Sequence, residues 1–248
     1  MLVNMLSKYK GKLFCFSPPV MLATLLIEFS LAAYTFWRYK TSTVRKLAIA
    51  MLLALGTFQL AEYMVCGGLG WTNVEWARIG YGSITLLPAI GIHMVVTIAD
   101  KKAPWLLGAA YASCLAFVAL YLIGENAVSA HTCTANYAVF DTIRASIWPF
   151  GAYYYGWLLI GTGLAWQWSN QIPDKRTALR AMSIGYAVFV LPTTAFNIID
   201  PATTRGIPSI MCGFAVLFAF ILAAKVLPNS CDVRNSIQNL FDRLQLRI

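Results

Sequence analysis

Glu28, Gln59, Glu62, His93 and Asn197 stand inside long apolar runs of this chain. A charge held inside a bilayer costs at least ~2.5–3.5 kcal/mol, so each is a candidate for function. Gln59, Glu62, Tyr63 and Cys66 recur at i, i+3, i+4 and i+7, which places them on one helix face. Lipid would not solvate that face, so it turns inward. With Tyr81, Tyr153, Tyr154, Asn197 and Asp200 it would wall a polar, aromatic pocket for a small ligand. The plainer reading is that Gln59 and Glu62 bond to neighbouring helices, or that Glu62, roughly 6 Å from its helix end, reaches interfacial water. Glu28 and His93 offer an intramembrane polar relay. Alternatively Glu28 is a protonated carboxyl bonded across a helix interface, and His93 a structural hydrogen-bonding group.

Catalytic constellations are not found. His93 and His131 are the two histidines and fall at opposite depths, which excludes a three-histidine zinc hydrolase. The spans carry no pair of aspartates for an intramembrane aspartyl protease, and no GxSxG accompanies a serine nucleophile. Lys225 sits too near the end of its run to carry retinal. No CxxC or His–Cys cluster suggests a metal site, no cofactor motif is present, and the chain reads as a non-enzyme. Cys66 and Cys133 fall on the same side of the predicted spans and would pair in an oxidising compartment; the alternative is two free thiols. Cys15 with Cys212 is a second candidate pair.

The elements that must position these residues follow from composition. Of 248 residues, 59% are hydrophobic and only 12% charged, where a soluble domain carries about a quarter charged. That points to an all-α polytopic membrane protein. Seven apolar segments read as spans, at 16–37, 47–66, 79–99, 105–124, 149–168, 181–199 and 207–227. Each is near the ~20 residues a helix needs to cross the hydrocarbon core. Connections are short apart from a polar stretch between Glu125 and Ile147, so residues 1–228 form one domain. Residues 229–248 read as an amphipathic tail, with Val233, Ile237, Leu240, Phe241, Leu244 and Ile248 at helical spacing, lying on the inner leaflet or on a partner.

Charge sets the expected orientation. Thirteen of the 19 basic residues fall in the loops 38–46, 100–104 and 169–180 and in the segment from Lys225 on, which predicts N-out, C-in. Lys8, Lys10 and Lys12 pull the other way. The net charge of +9 is explained by those loops, and nothing in the motifs supports nucleic-acid binding. Trp37, Trp105, Trp166 and Trp168 at inner ends and Trp71, Trp76 and Trp148 at outer ends form the expected interfacial belts. Pro88 and Pro192 should kink the third and sixth spans. "GWLLIGTG", Gly156 to Gly163, is expected to allow close helix contact.

"FWRYKTSTVRKLAIAMLLALGTFQLAEY", "EWARIGYGSITLLPAIGIHMVV" and "GIPSIMCGFAVLFAFILAAKVL" resemble the N-terminal seven-transmembrane sensor regions of bacterial histidine kinases and diguanylate cyclases. The resemblance implies an outward-facing sensory bundle in a bacterial inner membrane. Only 23 residues follow Lys225, so no kinase or cyclase output domain is expected. The expected function is a receptor-like sensor that binds a small molecule near the outer face and signals through a cytoplasmic or membrane partner. The alternatives are a small transporter or proton-coupled carrier using Glu28, Glu62 and His93, or a structural assembly factor.

Overall fold

A computed structural model describes residues 18–67, 73–133 and 138–233. Seven helices occur among them: α1 (Pro18–Arg38), α2 (Thr43–Gly67), α3 (Asn73–Ile98), α4 (Pro104–Ile123), α5 (Arg144–Gln171), α6 (Arg176–Ile199) and α7 (Ile207–Ile221). A π-helical turn, Leu222–Val226, and a 3₁₀ turn, Leu227–Asn229, extend α7. Six of these segments are long and apolar enough to cross a membrane. The chain is therefore an integral membrane protein of polytopic helical build. The segment that falls short is α5, the longest helix at 28 residues, whose run of tyrosines, tryptophans and glycines dilutes its aliphatic content.

The helices end where local chemistry requires it. Ser42 caps α2, its Oγ accepting the Arg45 N–H at 3.1 Å. After α3 the chain turns at Asp100, with φ of 50°. There Asp100 N–H bonds to Thr97 O at 3.2 Å and Lys101 N–H to Val96 O at 3.1 Å, closing the helix with a left-handed residue. Prolines open α4 and α7, where a missing N–H costs nothing.

α3 runs through the middle of the bundle and packs on α2, α4, α5 and α6. α1 lies on α2 and α7, α6 lies between α5 and α7, and α4 hangs mainly on α3. Close approach depends on small residues. A Cβ on Gly56 would stand 2.7 Å from the Phe29 ring, and one on Gly91 would collide with the Tyr186 hydroxyl. The expected packing stripe on α5 is corrected to one residue. Gly161 meets Ile92 and Tyr186, whereas Gly156 and Gly163 have nothing within 4 Å. Trp105 and Trp148, at opposite ends of the bundle, are 91% and 86% exposed, as interfacial anchors would be.

The segment expected to be a polar loop is instead a β-hairpin. β1 (Val128–Cys133) pairs antiparallel with β2 (Ala138–Thr142), with an irregularity between Val128 and Ala130. Its apolar side supplies the reason: Ala127, Val128 and Phe140 are buried against the bundle. The Phe140 ring inserts 5.9 Å from Phe58 and 5.5 Å from Tyr81, centroid to centroid. A disulfide joins Cys133 to Cys66 at the end of α2, with Cα atoms 5.8 Å apart. Cys212 is a buried free thiol, so the second candidate pair does not form, and Cys15 lies outside the described residues. The amphipathic tail from Arg234 onward also lies outside them. At the opposite end, Val233 bridges to Tyr39, and Lys40 N–H bonds to Asp232 O at 2.8 Å.

Candidate functional site

Below the hairpin, between α5 and the start of α7, lies a cavity of about 710 Å³. Arg144, Ile147, Gly151, Tyr154 and Tyr155 line one side, at helical spacing along α5. Pro201, Ile207, Pro208 and Met211 line another, Tyr81, Ile84 and Tyr121 close the back, and Phe140, Asp141 and Thr142 of β2 form the roof. Its size suits a small molecule. The aromatic wall is locked from behind. Tyr81 lies 4.9 Å from Tyr121 and 5.9 Å from Phe150, ring to ring, and the Tyr121 hydroxyl donates to Ser146 Oγ at 3.3 Å. Polar groups sit at the roof and rim, in Thr142, Asp141 and Arg144.

A second cluster lies beside this cavity, behind Tyr154 and Met211. Glu28 of α1 and Glu62 of α2 are both fully buried, and each lies within electrostatic reach of the other and of the Cys212 thiol on α7. Ser209, also fully buried, stands beside the Glu62 carboxyl. Its Oγ accepts the Ala138 N–H at 3.1 Å, linking the hairpin to α7. Yet among the described residues no carboxyl oxygen of Glu28 or Glu62 makes a hydrogen bond of good geometry, and Gln59 Nε2 also lacks a partner there. Among the described residues no three His, Cys, Asp or Glu side chains gather in a metal-binding group.

The residues singled out from sequence therefore divide. Tyr81 and Tyr154 line the cavity. Gln59 and Glu62 face the interior but belong to the carboxyl cluster. Tyr63 is half-buried outside the cavity lining. Tyr153 points to α3, donating to Thr85 O at 2.6 Å. Asn197 Oδ1 accepts the Thr203 hydroxyl at 2.7 Å, and the Asp200 carbonyl accepts the same hydroxyl at 2.6 Å, so both serve the α6–α7 turn. Glu28 and His93 belong to different sets: Glu28 faces Glu62, whereas His93 Nδ1 pairs with the Tyr111 hydroxyl of α4 at 2.9 Å.

Sequence reasoning passed over Arg144, Ile147, Gly151 and Tyr155, although with Tyr154 they mark one stripe of α5. That periodicity was the available signal. Phe140, Tyr121 and Met211 carried none, since only the tertiary fold brings them to the same cavity. No protein-family profile and no curated protein matches this chain.

Proposed function

We propose that the chain is a seven-helix receptor of a bacterial inner membrane. In this reading it is oriented N-out, C-in and binds a small, largely apolar molecule with a polar end in the cavity beneath the hairpin. The observation that carries this reading is the 710 Å³ aromatic-walled cavity, with Arg144 and Asp141 at its polar margin. An occupant would touch the hairpin and the adjoining ends of α5 and α7. Both helices run to the basic end of the bundle, where a cytoplasmic or membrane partner would read their shift. α5 is counted as the seventh span because it packs on α3 and α6 within the bundle.

The test exploits Gly151, which lines the cavity and whose added Cβ would meet nothing within 4 Å. Gly151→Phe should fill the cavity while leaving the fold intact. A panel of small aromatic acids, amines and amphiphiles is screened by thermal shift on purified protein. Compounds that stabilise the wild type should fail on Gly151→Phe. Hits that stabilise both proteins equally would place binding elsewhere and overturn the reading. The second reading, an ion-coupled carrier, is favoured by the buried Glu28 and Glu62. It predicts that a hit compound is taken up by proteoliposomes down an ion gradient, whereas a receptor binds it without transport.

A further inference from the structure

We propose that Glu28 and Glu62 hold a small hard cation of the sodium or calcium class in the interior of the bundle. The two carboxyls come from α1 and α2, and Ser209 from α7; each of these three helices packs on the other two. Glu28, Glu62 and Ser209 have no exposed surface, and Gln59 has 1%.

Among the described residues no Lys, Arg or His pairs with either carboxyl, and apart from Ser209 beside Glu62 none of the four oxygens has a hydrogen-bonding neighbour. Two ionised carboxylates left this way would repel each other in a medium that solvates neither, a cost no helical bundle sustains. Two neutral acids would leave the Glu28 O–H without an acceptor among the described residues, since Ser209 stands beside Glu62 alone. One bound cation resolves both problems, because it neutralises the pair and satisfies several oxygens at once.

The donor set fixes the class of ion. Four carboxylate oxygens and the Ser209 hydroxyl are hard ligands. Gln59 lies one turn before Glu62 on the same inward face, and a half-turn of its amide exchanges the unpartnered Nε2 for Oε1. Oxygen-only ligation suits sodium or calcium. Among the described residues Cys212 is not joined by a histidine or a second thiol in a metal-binding group, which argues against zinc or copper. The hairpin covers the site through the Ala138–Ser209 bond. This inference does not depend on what occupies the neighbouring cavity.

The experiment uses the full chain, purified in detergent. Its melting temperature is followed while sodium chloride, or separately calcium chloride, replaces N-methylglucamine chloride at constant ionic strength. A saturable rise of about 5 °C or more is expected with one of the two ions. The rise should vanish in Glu28→Gln and in Glu62→Gln, which keep side-chain shape and remove charge. Should either variant fail to fold, retention of radioactive sodium or calcium by the wild type decides the question, with one ion expected per chain. A wild type indifferent to both ions and retaining neither overturns the proposal, and so does a rise that persists unchanged in both variants. The Gly151→Phe variant should keep the ion response, so failure of the ligand reading and failure of this one are distinguishable.

Discussion

Arg45 shows how a charge can act as a structural part. It is only 6% exposed, and its Nη1 donates to Tyr39 O at 2.8 Å and Phe36 O at 3.3 Å. Those carbonyls close α1, where the helix dipole is negative and helical donors have run out. The guanidinium carbon also lies 5.3 Å from the Phe36 ring. Removing it leaves buried carbonyls unpaired, so Arg45→Ala should lower stability by about 2 kcal/mol. Arg45→Lys should recover only part of this, because a single ammonium lacks the planar fork. Thermal melts of both variants in detergent check the order; an unchanged midpoint for Arg45→Ala would remove this role. From sequence, Arg45 was one of several basic loop residues that set topology. Its burial was not legible, because it depends on the chain folding back between Arg38 and Thr43. The inward turn of Glu62, by contrast, was legible, because Gln59 one turn away fixes which face avoids lipid.

The hairpin is the element on which the site depends most. It roofs the cavity through β2, plugs the bundle with Phe140, meets α7 through Ser209 and is tied to α2 by Cys66–Cys133. The disulfide spans 67 residues of sequence, for which chain entropy alone allows a stabilisation of up to about 4 kcal/mol. Helices held in a bilayer keep part of their order when packing is lost, so the measured value should be smaller. Reduction should lower the melting temperature and speed amide exchange first in 128–142, before the helices respond. Phe140→Ala should produce the same local release with the disulfide intact, at about 3 kcal/mol. Exchange that rises evenly over the whole chain on reduction would mean the hairpin is not a separable cover. In the sequence the two cysteines fall on one side, and the polar stretch between Glu125 and Ile147 reads as a loop. The strands are six and five residues long, and in β2 the burial of Phe140 is set by rings on α2 and α3, so local periodicity could not reveal them.

At the scale of the whole molecule, apolar length was the readable quantity, and the helices lie within a few residues of the expected spans. α5 is the instructive case. Its start at Arg144, five residues before the expected span, and its Tyr and Trp content place the cavity stripe within the helix rather than before it. Which stripe faces the cavity is decided by where β2 and α7 sit against α5, and that information is not local. The charge distribution carries the remaining prediction. Among the described residues, Arg38, Lys40, Arg45, Lys46, Lys101, Lys102, Lys175, Arg176, Arg180 and Lys225 belong to the end opposite the hairpin, and Arg78, Arg144 and Arg205 to the hairpin end. Basic residues near span ends are retained on the cytoplasmic side. A disulfide at the hairpin end needs an oxidising compartment, which supports the proposed N-out, C-in orientation independently of the charges. Reporter fusions after residues 42, 102, 172 and 248 should therefore all report cytoplasm, and fusions within 125–143 should report the outer side. If α5 does not span, the fusions after 172 and 248 would report the outer side while those after 42 and 102 stay cytoplasmic. That result would reduce the bundle to six crossings and place the cavity's α5 wall in a re-entrant helix.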